Sequence, residues 1–210
     1  MTDDEAKLWL HEALSVSRET FEKLDAFRAM VVAENQQQNL ISTASLDHIW
    51  VRHIADSAQL LLLAGATHDG LWLDLGTGAG FPGLIIAILR DAPIIFVESR
   101  RKRIDFLVES ASRLCLPHVR VEGCRLETVE TVPVKVISAR AFAPLPRLFA
   151  LAHRFSTEKT LWLLPKGQSA TEELESVAGS WQGSFHVKPS VTDVQSNIIV
   201  AQSIRRVGKK

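Results

Sequence analysis

Apolar residues in the first part of the chain recur at helical spacing. Leu10, Leu14, Phe21, Leu24, Phe27 and Met30 or Val31 fall near one face of a helix over residues 4–34. The polar run ENQQQNLIS (34–42) breaks the pattern. A second periodic stretch, Ile49 to Leu63, follows TASLD, where Ser45 or Asp47 stands in position to cap its start. The turn-rich GATHDG (65–70) then sets a soft boundary near residue 66. It separates an N-terminal helical extension, 1–66, from a larger unit, 67–210.

From residue 70 the rhythm changes. Short apolar runs rich in β-branched residues alternate with helix-like segments: LWLDL, APIIFVE, HVRVE, VKVISAR, TLWLLPKG and IIVAQSI. The helices between them are predicted over 83–90, 101–115, 144–154 and 169–178. Strands that are apolar throughout belong to a parallel sheet covered on both faces. The predicted fold is therefore α/β, a doubly wound, mostly parallel sheet that binds ligands at the carboxyl ends of its strands.

Composition narrows the picture in a few places. At 210 residues the chain forms a core large enough to need no disulfide or metal, and 46% hydrophobic with 23% charged residues is ordinary for a soluble protein. Cys115 and Cys124 have no zinc spacing and read as reduced thiols in a reducing compartment. His48 and His53 lack a third ligand in range, so no metal is expected. The acidic start MTDDEAKLWL is no secretory signal, and no apolar run approaches a membrane span, which points to the cytoplasm. The tryptophans fall at strand and helix positions and read as packing. Net charge is zero, so any binding of a polyanion has to be local. RRKR (100–103) and RRVGKK (205–210) are the places for it.

The densest chemical signal is GTGAGFPG (76–83), directly after the strand that ends in Asp74. Glycines between a strand and a helix let a ligand approach main-chain N–H groups, and Pro82 suits the start of the following helix. Two ligands fit this pattern. GAGFPG (78–83) with Glu98 twenty residues after Gly78 matches a dinucleotide fingerprint, and so an NAD-dependent oxidoreductase. DLGTGAG (74–80) matches the acid-x-Gly-x-Gly-x-Gly pattern of S-adenosylmethionine sites. A carboxylate beside the loop disfavours a pyrophosphate and favours a cationic ligand, so S-adenosylmethionine is the preferred reading. Asp74, Gly78, Gly80 and Glu98 form the core of that site, with Glu98 an acceptor for ribose hydroxyls.

QNLIS (38–42), VRHIADS (51–57), DLGTGAGFPGL (74–84), ESRRKRIDFL (98–107), CRLE (124–127), ISARAFAPL (137–145) and PKGQ (165–168) occur in an order that resembles one family. It is the bacterial small-subunit ribosomal RNA methyltransferase G, or glucose-inhibited division protein B, family. The likeness spans roughly residues 35–170. It implies a class I, Rossmann-like methyltransferase with an N-terminal helical extension. It also implies methyl transfer from S-adenosylmethionine to N7 of a guanine in 16S ribosomal RNA of the small subunit. By the same likeness Gly76 and Phe81 join the cofactor site, Leu126 and Glu127 lie near the adenine, and Arg140 lies beside the methionine end or the target base. The family often has a smaller residue where Leu126 stands, and commonly lacks Arg100 and Arg101.

Guanine N7 carries a lone pair and no proton, so the reaction needs positioning and no general base. Arg140 and Lys166, at strand ends, are the residues expected to serve catalysis, by gripping the cofactor carboxylate or an RNA phosphate. Lys102 and Arg103 are the expected phosphate contacts in the basic run. Asn39 and His53 are the substrate-binding candidates of the N-terminal extension, with Asp56 three residues after His53. A monomer without membrane association suffices for all of this.

Overall fold

The computed structural model describes residues 1–65 and 69–208. The expected boundary at residue 66 and the two final lysines lie outside them. Helix α1 (Asp3–Leu14) opens with a capping box between Thr2 and Glu5, and Asp3, Asp4 and Glu5 fill its first turn. The acids of the N-terminus thus offset the unsatisfied N–H groups and positive dipole end of a helix. Helix α2 (Arg18–Glu34) follows. The single helix expected over 4–34 is two, because Ser15 takes a left-handed conformation at φ 50° and Ser17 caps α2.

The next stretch also departs from expectation. Neither Ser45 nor Asp47 caps a long helix: a four-residue helix α3 (Thr43–Leu46) starts after Ser42 and closes at Asp47. The chain then makes a π-helical segment, Trp50–Ala55, that runs into α4 (Asp56–Ala64).

Among the described residues seven strands follow, interleaved with helices. They are β1 (Trp72–Leu75), β2 (Ile94–Val97), β3 (Val119–Glu122), β4 (Val136–Ala139), β5 (Leu161–Lys166), β6 (Trp181–Pro189) and β7 (Asn197–Arg206). The intervening helices are α5 (Gly83–Leu89), α6 (Arg101–Arg113), α7 (Leu145–Ala152) and α8 (Ala170–Glu175). Strand order is β3-β2-β1-β4-β5-β7-β6. The first five are parallel and β7 and β6 run antiparallel. The connection reverses between β1 and β4, where a doubly wound sheet opens a crevice at its strand ends. Strand β6 is absent from the expected set. Most of its residues are exposed, so it carries no apolar run to read.

Each sheet face has its own core. On one, Trp72, Ile85, Phe96 and Phe106 pack with Leu24, Phe27, Ile54 and Leu60 of the N-terminal helices. On the other, Leu73, Ile137, Phe149, Trp162 and Ile199 pack under α7. Trp50, Trp72, Trp162 and Trp181 are buried, as expected of packing residues. No helix among the described residues is long and apolar enough to cross a membrane.

Candidate functional site

The glycine bend is built from beneath. In register, Asp74 of β1 lies beside Ser138 of β4. The Ser138 hydroxyl donates to Asp74 Oδ1 at 2.5 Å, the Trp72 indole N–H donates to Ser138 Oγ at 2.8 Å, and the Gly83 N–H donates to Asp74 Oδ2 at 3.1 Å. A Cβ at Gly83 would stand 2.7 Å from Asp74 Oδ2 and 2.8 Å from Phe96, so α5 can begin this close to the strand only with glycine there. Above, Gly76, Gly78 and Gly80 have φ of 68°, 60° and 96°, the left-handed region that a side chain resists.

Asp74 does not take the place expected of it. Its side chain is fully buried under the bend and lines neither of the clefts described below. Burial raises its pKa to about 6, against the lowering effect of Ser138, Thr77, Gly83 and Arg140. Its contribution is to fix the bend, and its charge reaches a ligand only through space.

Glu98, at the end of β2, does face the crevice. Its Oε2 accepts the Gly78 N–H at 3.0 Å, while Oε1 accepts the N–H groups of Ser99 at 2.7 Å and Arg100 at 2.9 Å. The carboxylate is thus held by the loop it faces, with acceptor capacity left over. It shares a cleft of about 450 Å³ with Gly76, Arg103, Leu126, Glu127 and Phe142. That volume lies within the usual range of small-molecule sites, about 300–1,000 Å³. Of the bend's glycines only Gly76 lines this cleft; Gly78 borders it through Arg103, whose Nη1 a Cβ there would meet at 3.4 Å.

A second cleft, about 790 Å³, adjoins the first and shares Ala141, Phe142 and Ala143 with it. Its walls include Asp56, Arg140, Lys166, Glu173 and Asn197. Arg140 lies with its guanidinium 5.4 Å from the Phe81 ring centre and Nη1 3.6 Å from Asp56 Oδ2. Nη1 also donates to the Arg52 carbonyl at 3.4 Å, an oxygen of the π-helical segment. Burial lowers the Arg140 pKa, and the Asp56 and Asp74 carboxylates work against that shift.

Gly80 and Phe81 belong to the bend without lining either cleft. Phe81 is buried, 5.4 Å from Phe27 and 4.8 Å from the His53 ring. Lys166 lines the second cleft, but its Nζ is 2.7 Å from Glu173 Oε2 and is not a free cation. Lys102 is exposed and its carbonyl accepts from Gln38 at 3.1 Å, whereas Arg103 reaches the first cleft. Asn39 is exposed and lines neither cleft. The residues that sequence reasoning left out of the site are Asp56, Phe142, Arg147 and the β6–β7 connection. Asp56 had shown itself only by its position near His53, and Phe142 only as part of ISARAFAPL.

His53 stacks on Phe81 at an interplanar angle of 23°, and neither ring nitrogen has a hydrogen-bond partner. Burial first, then the charges of Arg140 and Arg52, lower its pKa to about 3, well below the ordinary imidazole value of about 6.5. A histidine held neutral in the fold but free to ionise when unfolded stabilises the protein fully above pH 6.5. That stability is lost as pH falls from there toward 3. Asp74, raised from 3.8 to about 6, acts in the opposite sense between those values in both proteins. A His53→Phe variant is therefore expected to gain on the wild type steadily as pH drops below about 6.5, in urea denaturation followed by fluorescence. A constant difference across pH 4–7 would show that His53 does not titrate this way.

A family model described as GidB, rRNA small subunit methyltransferase G, matches residues 20–202. The chain is 51% identical over 221 residues, covering all of both chains, to the ribosomal RNA small subunit methyltransferase G of Zymomonas mobilis. It is 51% identical to the protein of that name from Sphingopyxis alaskensis, over 93% of this chain and 84% of the relative. Among solved structures, an O-methyltransferase from Bacillus cereus in complex with SAH superposes with a TM-score of 0.61 at 15% identity, over 93% of this chain and 96% of that one. A SAM-dependent methyltransferase from Aquifex aeolicus gives 0.60 at 14%, over 80% and 97%. Likenesses this distant speak for the fold, which is the class I arrangement. The family match reaches further toward both ends than residues 35–170.

Proposed function

The chain belongs to the rRNA small subunit methyltransferase G family and is an S-adenosylmethionine-dependent rRNA methyltransferase; from that premise we propose that it methylates N7 of a guanine in 16S ribosomal RNA, acting as a monomer. The nicotinamide-dependent alternative is set aside with it. The observation that carries the reading is the pair of adjoining clefts with a shared wall at Ala141–Ala143, one over the glycine bend and one around Arg140.

The bend fits the methyl donor. Glycines at alternate positions of the bend, a fixed carboxylate and an apolar wall at Leu126 suit a nucleoside, and no phosphate has to sit beside Glu98 and the buried Asp74. Glu98 would accept from the ribose hydroxyls, Leu126 and Glu127 would border the adenine, Gly76 and Gly78 would admit the ligand to the main chain, and Arg140 would oppose the methionine carboxylate. When bound, S-adenosylmethionine supplies an electrophilic methyl group on a sulfonium. The protein's part is to hold guanine N7 in line with it. Since N7 bears no proton, no side chain has to accept one, and the catalytic gain comes from orientation and fixed charges. Arg140 and Lys166 are the cations that line the second cleft, the second already balanced by Glu173. His53 supports this wall through Phe81, and Asn39, at the surface of the helical extension, is offered as an outer RNA contact.

Methylation of small-subunit RNA with labelled cofactor, followed by nucleoside mass spectrometry, tests the proposal. It is sustained by 7-methylguanosine and rejected by label in any other nucleoside.

The basic run fits phosphate contact. Helix α6 begins with Arg101, Lys102 and Arg103 and has no acid in its first turn, an arrangement its dipole disfavours. Arg101 is tied to Asp105 at 3.1 Å, while Arg103 faces the cleft. A Lys102→Ala, Arg103→Ala double variant should bind small-subunit RNA more weakly and flatten the log–log salt slope by about 2. An unchanged slope in filter binding would return these residues to the solvated surface.

A further inference from the structure

We propose that Asp56 is a specificity-determining residue that reads the guanine through its N1–H and exocyclic N2–H donors, and binds that edge more tightly as the methyl group arrives. The inference rests on the N7 reading above and identifies how the second cleft recognises its base.

The two oxygens of this carboxylate have different surroundings. Oδ1 accepts from the Gln59 amide at 2.9 Å, the Thr192 hydroxyl at 3.2 Å and the Ser190 hydroxyl at 3.4 Å. Gln59 is itself fixed, since its Nε2 donates to Ser190 Oγ at 2.9 Å and its Oε1 accepts the Val191 N–H at 3.0 Å. The side chain is thereby clamped between α4 and the β6–β7 connection. Oδ2 has the Arg140 guanidinium at 3.6 Å, too long for a hydrogen bond, in the wall of the 790 Å³ cleft. A rigid acceptor with one oxygen saturated and the other engaged only by the Arg140 ion pair, at 3.6 Å, is suited to a ligand that brings donors.

Guanine brings two on the edge opposite N7. Adenine has no N1–H, so an acceptor placed there separates the purines. It also helps the reaction. As the methyl group bonds to N7 the ring system becomes cationic, and its N1–H and N2–H groups become stronger donors. A carboxylate on that edge therefore binds the transition state better than the ground state, which is what accelerates a step.

The test uses small-subunit RNA in which the mapped target guanosine is replaced by inosine through splinted ligation. Inosine keeps N7, O6 and N1–H and lacks the N2 amino group. The wild type is expected to lose roughly 10- to 100-fold in kcat/KM on the inosine RNA, the size of one lost hydrogen bond to a charged acceptor. Asp56→Asn should lose about as much on the guanosine RNA, since its amide nitrogen would face N1–H, and should treat both RNAs nearly alike. Its affinity for S-adenosylmethionine should stay within about threefold of the wild type. Wild-type enzyme that treats the two RNAs alike would overturn the inference without any variant. So would an Asp56→Asn protein that keeps wild-type discrimination, or one whose cofactor affinity falls in step with its rate. A wild-type product other than 7-methylguanosine would remove the N7 reading and this inference together, whereas 7-methylguanosine with any of the former results removes this inference alone.

Discussion

A Gly78→Val protein should fold and fail to bind S-adenosylmethionine. Gly78 lies at φ 60°, where a residue with a Cβ is disfavoured by about 1–2 kcal/mol and a β-branched one by more. The new Cβ would meet only Arg103 Nη1 at 3.4 Å and the Gly76 carbonyl at 3.5 Å, so the protein itself has room for it. The two methyl groups beyond it would lie over the loop face that a nucleoside has to approach. They would also strain the Gly78 N–H bond that fixes Glu98. Calorimetric titration should show affinity reduced by more than about 100-fold, the order expected when a main-chain approach is blocked. Circular dichroism should still show the sheet. Gly80→Val would be a poorer probe, because its Cβ would stand 2.6 Å from Phe27 in the core and unfolding would obscure the answer. Wild-type affinity in Gly78→Val would mean that the cofactor sits elsewhere.

The second large effect is expected at Arg140. Its replacement by alanine takes from Asp56 the one cation within 4 Å among the described residues, and removes a positive charge that also acts on Asp74. Taking one partner from a largely buried pair costs on the order of 3 kcal/mol of stability. Catalysis should suffer separately. Losing a charge-assisted contact in a desolvated cleft is worth about 2–4 kcal/mol, or roughly 30- to 1,000-fold in kcat/KM. Arg140→Lys should recover part of the stability and less of the rate, because an ammonium keeps the charge but not the planar fork that lies over Phe81. Unaltered kcat/KM in Arg140→Ala, measured well below its melting temperature, would show that the guanidinium is scaffold only.

How much of this was legible beforehand follows from what each residue's signal depends on. The central parallel strands were readable because they are buried on both faces and so run apolar, as Ile94–Val97 does, while β3 at the sheet edge showed only the alternation of VRVE. Strand β6 was not, since one antiparallel neighbour and solvent on most of its side chains leave no pattern. The division of the first long periodic stretch turns on Ser15 and Ser17, small polar residues that a periodicity count passes over. In the site, Glu98 and the glycines were legible because loop chemistry dictates them locally. Asp74 was found for a reason the structure amends: its acid was read as facing the ligand, and it instead ties Ser138 and Gly83 together beneath the bend. Asp56 was visible in the sequence only as a neighbour of His53, because its meaning comes from Gln59 on its own helix together with Arg140 after β4 and Ser190 beyond β6.

The most direct test of the central claim is a crystal structure of the wild-type protein with S-adenosylhomocysteine. The expected result is a nucleoside over the Gly76–Gly80 bend, ribose hydroxyls on Glu98, adenine against Leu126 and Glu127, and the amino-acid end directed toward Arg140 and the adjoining cleft. Density for the ligand in the Arg140–Lys166 cleft, with the bend left bare, would contradict it.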